Sequence, residues 1–234
     1  MMPSVPNQSS PLTRLLASLL SALIPPLLLL LSVRLVLTPL YVTTLYQMPF
    51  FPEDRFGWAE SVRQEYGPYG VRYLLNDAGI EYLGDLQIEG QAAFNERELK
   101  HMEDVKVVTR AALTVLNVCL LLAGLCSLGL LARRKNRSAW VGAVGRGGLT
   151  TLAVSLSLLV VALLSWDFFF DSFHALFFAD GTWQFYTSDT LIRLYPQTFW
   201  FTSALVVGVL TIGGALICVL GAFWYRRRAI LGQA

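Results

Sequence analysis

Four stretches of the chain are almost free of polar side chains, and the polar residues crowd into the connections between them. Leu15 to Leu37, Val107 to Ala132, Leu149 to Trp166 and Phe201 to Tyr225 each approach the length and apolarity of a bilayer-crossing helix, about 20 residues. They predict an all-α membrane protein with four transmembrane helices. Pro25-Pro26 in the first stretch removes backbone donors and predicts a kink. That stretch is too long for a cleavable signal, and no small-x-small site follows it, so it reads as an anchor. After it, residues 47 to 105 mix short apolar runs with charge and predict a small, mainly helical cap. PEDRFGWAESVRQEYG places Pro52 at a first helical position ahead of Phe56, Ala59, Val62 and Tyr66 near helical spacing. GPYG at 67 to 70 predicts a turn, and Gly90 a second one. So short a cap lacks a robust core of its own and is expected to pack on the helices.

Composition agrees with this pattern. Of the 234 residues 55% are hydrophobic and 15% charged, against about 25% charged in an average soluble domain. Cys119, Cys126 and Cys218 all fall inside apolar runs and read as small core residues without zinc-type spacing. The distribution of charge adds an orientation. RRKNRSAWVGAVGR, after the second stretch, holds five basic residues and no acidic one, and Arg226, Arg227 and Arg228 follow the fourth. All sixteen Asp and Glu lie in 47–106 and 167–200. Basic connections stay in the cytoplasm, so both termini are expected there and the acidic segments outside. The resulting map is an N-terminal tail over 1–14, the first span and an outer extension over 15–46, and the cap over 47–105. The second span follows over 106–132, a basic cytoplasmic loop over 133–148 and the third span over 149–166. An aromatic outer segment over 167–200, the fourth span over 201–225 and a cytoplasmic tail over 226–234 complete it.

Only two histidines occur, His101 and His174. The first precedes the second span and the second follows the third, so both are expected on one membrane face at similar depth. FNERELKHMEDVK, 94 to 106, starts like a helix: Asn95 can cap, Glu98 sits at the third position as in a capping box, and Phe94 and Leu99 can staple the end. His101 then shares a face with Glu98 and Asp104. A solvated first turn favoured by the helix dipole accounts for Glu96 and Glu98 but leaves His101 unexplained.

From Trp166 to Phe201, fourteen of thirty-six residues are aromatic. An interfacial belt is the simplest reading. Yet Phe168, Phe169, Phe170, Phe173, Phe177 and Phe178 are more apolar than a belt requires and are candidates to line an acyl-chain chamber beside His174. Asp171 precedes His174 by three positions as Asp104 follows His101, so each imidazole is offered a carboxylate able to fix its tautomer and raise its pKa. Arg34 near the outer end of the first span either snorkels or serves a polar site, and Arg110 reads as a snorkelling headgroup contact.

NERELKHMEDV at 95–105, FHALFFADGTWQF at 173–185 and LYP at 194–196 resemble the bacterial lipoprotein intramolecular transacylase (Lit) family. The resemblance extends to the layout of the chain beyond its first dozen residues. It implies acyl transfer at the outer face of the plasma membrane, with a diacylated lipoprotein and membrane lipid as partners and without cofactor, metal or nucleic acid. The sn-2 acyl chain moves from glycerol oxygen to the α-amino nitrogen of the lipoprotein's N-terminal cysteine, giving the lyso form. His101 and His174 correspond to the family's two essential histidines. On this reading Asp104, Asp171 and Glu98 orient the rings, Arg34 or Arg193 steadies developing charge, and Phe173, Phe177, Phe178 and Trp183 line the substrate. Two alternatives stay open. One is a metal site from His101, Asp104, His174 and Asp171, which lacks HExxH-like spacing. The other is a non-catalytic scaffold that binds lipids or lipoproteins. Few ionisable residues within the spans argue against a transporter.

Overall fold

The computed structural model describes residues 10–231, without the side chain of Ile230. Most of the expected N-terminal tail and the last three positions of the C-terminal tail therefore lie outside the described residues. Four helices carry the apolar stretches: α1 (Pro11–Val36), α5 (Glu96–Leu131), α6 (Arg137–Leu164) and α9 (Gln197–Leu231). Each is long and apolar enough to cross a membrane. Leu121, Leu128, Leu163 and Ile217 stand exposed on them, which suits a lipid solvent and not water. The protein is an all-α integral membrane protein with four transmembrane helices. α1 stays helical through Pro25 and Pro26, as spans tolerate. α5 has 36 residues, about 54 Å at 1.5 Å each, against roughly 30 Å of hydrocarbon. Its polar first three turns, Glu96 to Lys106, are the surplus.

The described residues divide into two compact units, one made of those up to 31, 115–157 and those from 209, the other of 32–114 and 158–208. In the first, Ala17, Leu20, Cys126, Leu130 and Ala143 form a core. Residues 137–148, expected as part of a loop, are the first three turns of α6. The glycines there serve close packing: a Cβ on Gly148 would lie 2.9 Å from the Ala215 carbonyl oxygen of α9. Trp140 donates to Ser127 across 3.1 Å and pins the same end of α6 to α5.

The second unit holds the shorter elements: α2 (Pro39–Tyr46), α3 (Glu60–Leu75), α4 (Glu81–Gly84), β1 (Gln87–Ile88), β2 (Gln91–Ala92), α7 (Trp166–Phe177) and α8 (Thr190–Leu194). Thr38 caps α2 by accepting from the Tyr41 amide at 3.1 Å, with Pro39 at the favoured first position. β1 and β2 pair antiparallel around Glu89-Gly90, both at positive φ, as a two-residue hairpin turn demands. Val42, Tyr46, Tyr73, Leu74, Leu83, Phe94, Met102, Leu194, Tyr195 and Phe199 share one buried core. The capping segment is thus built onto α5, α8 and α9 and not on a core of its own.

Two expectations fail in this unit. The helix announced by Pro52 begins only at Glu60, and GPYG lies inside it instead of ending it. Gly67 and Gly70 serve contact, not a turn. A Cβ on Gly67 would lie 2.3 Å from the Tyr46 hydroxyl, and one on Gly70 would lie 2.3 Å from that of Tyr195. Tyr46 donates to the Leu194 carbonyl at 2.8 Å, and Tyr195 donates to that of Gly67.

Candidate active site

The site begins at the start of α5. The Asn95 amide donates to Glu98 Oε2 at 2.9 Å and the Glu98 amide donates to Asn95 Oδ1 at 3.0 Å, the reciprocal bonds of a capping box. Phe94 is buried and Leu99 packs on the same core, as a staple places them. Glu98 does more than cap. It is 1% exposed, and its Oε1 accepts the Leu191 amide of α8 at 2.6 Å. The same turn of α5 grips the preceding segment: Arg97 pairs with Asp189 at 2.8 Å and lies over the rings of Phe185 and Tyr186. Thr190 donates to the Ala93 carbonyl. Residues 185–191 are therefore held against the turns that carry His101.

His101 occupies the second turn of α5 and is 9% exposed. His174 sits in the last turn of α7, a helix separated from α6 by the extended Ser165. The imidazole centroids are 6.5 Å apart, with ring planes inclined by 26°. Aromatic rings pack against both, although no residue of α7 is buried and Phe173 and Phe177 are exposed. Phe178 lies 5.0 Å from His101 and 5.8 Å from His174. Phe185 meets His101 at 5.3 Å. Phe170 meets His174 at 4.1 Å, Phe173 at 5.5 Å and Trp183 at 4.8 Å. Phe177 packs on Phe173 and Phe178 at the margin.

His174 Nδ1 lies 2.8 Å from the Phe170 carbonyl oxygen. A carbonyl only accepts, so Nδ1 carries the proton and Nε2 is left as the basic nitrogen. Desolvation holds His174 below the ordinary histidine pKa, against the opposing Phe170 bond and Asp171 charge. The rise expected from Asp171 is therefore reversed: the carboxylate is exposed to water and burial of the ring outweighs it. Two imidazolium charges at this separation also repel, which disfavours double protonation. His101 Nδ1 and Trp183 Nε1 are buried without a protein partner.

The charged residues expected around the rings are committed elsewhere. Asp104 pairs with Lys100 at 2.9 Å, one turn back on its own helix. Glu98 is occupied by its two amides. Arg193 binds Asp54 through Nε at 3.2 Å and a terminal nitrogen at 2.8 Å, and stacks 3.3 Å from the Trp58 ring centroid. Arg34 is exposed and donates to the Leu37 carbonyl at 3.3 Å. Arg110, expected to reach headgroups, pairs with Asp77 at 2.6 Å. Among the described residues no three His, Cys, Asp or Glu side chains converge into a metal-binding group. Phe170, one of the phenylalanines expected beside His174, does meet its ring, whereas sequence reasoning missed Phe185. Phe185 comes from a separate segment and left no local signal.

The model of the family described as lipoprotein intramolecular transacylase Lit matches residues 18–200. An uncharacterised protein of Aquifex aeolicus (strain VF5) is 30% identical over 213 residues, spanning 89% of this chain and 94% of that protein. The in meso structure of the membrane-integral lipoprotein intramolecular transacylase Lit from Bacillus cereus superposes with a TM-score of 0.71 at 17% identity, covering 93% of this chain and 98% of that one. A variant of that protein with one histidine replaced by arginine gives a TM-score of 0.66 at 16% identity, with 94% of each chain covered. The shared fold and the family match over most of the length agree, and the chain belongs to the lipoprotein intramolecular transacylase family.

Proposed function

We propose that this protein transfers the sn-2 acyl chain of a diacylglyceryl lipoprotein to the α-amino group of the same molecule's N-terminal cysteine. The observation that carries the reading is the pairing of His101 and His174 against the shared ring of Phe178. Family membership supplies the reaction class. The charge asymmetry of the connections supports a plasma-membrane protein with cytoplasmic termini and an extracytoplasmic site.

The amine nitrogen attacks the ester carbonyl carbon, forming the C–N bond, and collapse of the tetrahedral intermediate breaks the bond to the glycerol oxygen. One histidine takes the amine proton, and that proton passes through the paired ring to the departing oxygen, which leaves both histidines in their starting state. Both groups belong to one substrate, which supplies proximity without a covalent acyl-enzyme. The rings around the histidines accept the acyl chain and exclude the water that would divert the ester to hydrolysis.

Incubation of the purified protein with a diacylated lipopeptide tests the reading directly. Fragmentation mass spectrometry is expected to find the acyl chain on the cysteine nitrogen at unchanged total mass. An acyl chain still on glycerol, or released as free fatty acid, rejects it.

The protonation states give a pH dependence. Desolvation holds His174 below its ordinary pKa and His101 at about 4, so the group whose deprotonation sets the rise is the substrate amine, with a pKa of about 7.7 to 8.0. kcat/KM is therefore expected to climb toward about pH 8, without an inflection near the free histidine value of about 6.5. An inflection at that lower value would contradict a desolvated His174.

A further inference from the structure

Trp183 was expected only to line the site, but its surroundings give it a sharper role. Its ring stacks on the His174 imidazole at 4.8 Å and 27°. Its Nε1 is buried with no acceptor in the protein. An indole nitrogen only donates, and a donor left unmatched in an apolar enclosure is costly unless something else meets it. The turn that carries Trp183 is braced. Asp180 accepts from the Gly181 amide at 3.0 Å and from the Gln184 side chain at 3.1 Å, and Thr182 donates to the Ala179 carbonyl at 2.7 Å. Gly181 at φ +82° supplies the left-handed backbone that the turn needs. The backbone under the unmatched donor is thus braced, and the indole ring itself is held by packing on His174 and Phe170.

Resting on the acyl-transfer reading above, the geometry points to Trp183 as a catalytic hydrogen-bond donor to the substrate's ester carbonyl oxygen. In the ground state that oxygen is a neutral acceptor. As the amine adds, it becomes an oxyanion, and a fixed donor in a water-poor site then binds it more strongly than before. The two unmatched atoms divide the work by their chemistry. The indole can only donate and suits the oxyanion, whereas His101 Nδ1 on an imidazole can exchange a proton. A neutral donor also leaves the stacked His174 free to act as a base, which a cation at the same place would oppose.

Replacing Trp183 by phenylalanine keeps a ring on His174 and removes the N–H. The kcat for lipopeptide transfer is expected to fall by about 10²-fold, as when one oxyanion donor is lost, with KM little changed. Incorporation of 3-benzothienylalanine at 183 matches the indole in size, lacks the N–H and is expected to give the same loss. It carries the test should the phenylalanine variant fail to fold. The second readout replaces the sn-2 carbonyl oxygen of the lipopeptide by sulfur, a poor acceptor. The wild-type protein is expected to prefer oxygen strongly, and both 183 variants to lose most of that preference. Variants that keep the wild-type kcat, or lose activity while retaining the full oxygen preference, overturn the assignment and leave acyl transfer standing. Absence of transfer by the wild-type protein rejects both.

Discussion

His101→Ala and His174→Ala are each expected to lower the rate of acyl transfer by about 10²- to 10⁴-fold, the range that positioned acid–base groups contribute. The expectation rests on position more than on residue type. His174 has Nδ1 committed to the Phe170 carbonyl, so Nε2 is the nitrogen left with a free lone pair. His101 is buried with Nδ1 unmatched, 6.5 Å away between ring centroids, a separation that a bound amine and ester can bridge. On the proposed mechanism the two share one proton cycle, so the double variant is expected to be scarcely slower than the worse single one. Each variant must also be shown to fold, since His101 packs on Phe178 and Phe185; an unchanged melting profile in detergent suffices. Near-wild-type transfer by either folded variant would remove the pair from the mechanism.

Asp54→Ala is expected to be the most damaging single change for stability, at roughly 3–5 kcal/mol, the usual cost of removing one partner from a buried ion pair. The Asp54 side chain is 2% exposed and Arg63 is 7% exposed. Arg193 binds the carboxylate with two nitrogens, and the amides of Phe56 and Trp58 donate to the same group. Arg63 in turn holds the Arg193 carbonyl at 2.8 Å and that of Pro52 at 2.6 Å. Without the carboxylate, two enclosed guanidinium groups face each other with no anion between them. A loss of that size corresponds to roughly 10 °C in Tm for a chain of this length, read from tryptophan fluorescence on heating. Burial pushes the Asp54 carboxyl up, but the Arg193 bonds, the Trp58 amide and the Arg63 charge prevail and hold it below the usual value. Its stabilising contribution is therefore complete above the unfolded carboxyl pKa and drains away as pH falls through the lower folded one. An Asp54→Ala protein that melts with the wild type would show the cluster to be dispensable.

The parts of this site that sequence could reveal are those whose partners lie within one helical turn. Asn95 and Glu98 announce a capping box because both bonds close over three residues. The four spans are legible because lipid demands long apolar runs. The histidines stand out by being only two. The failures share a cause as well. Asp104 and Asp171 have the spacing to reach an imidazole, but spacing permits a contact without selecting it. Lys100 offers Asp104 a full opposite charge, and water solvates Asp171. Gly67 and Gly70 carry the same letters whether they make a turn or admit a tyrosine ring, and one of those rings belongs to Tyr195, far along the chain. The second bond of Glu98, to Leu191, and the pairing of Arg193 with Asp54 likewise join residues that no local pattern connects.

The Phe170 carbonyl that holds His174 has a consequence for how this protein can vary. A side-chain carboxylate in that place would be open to replacement, and each replacement would reset the ring's tautomer and basicity. A peptide oxygen is present whatever residue occupies position 170, so no exchange of side chain can delete it. It also brings no net charge, which leaves the imidazole a mild base instead of a standing cation. Drift at position 170 can reshape the wall beside His174 while Nε2 keeps its direction for as long as this turn of helix persists.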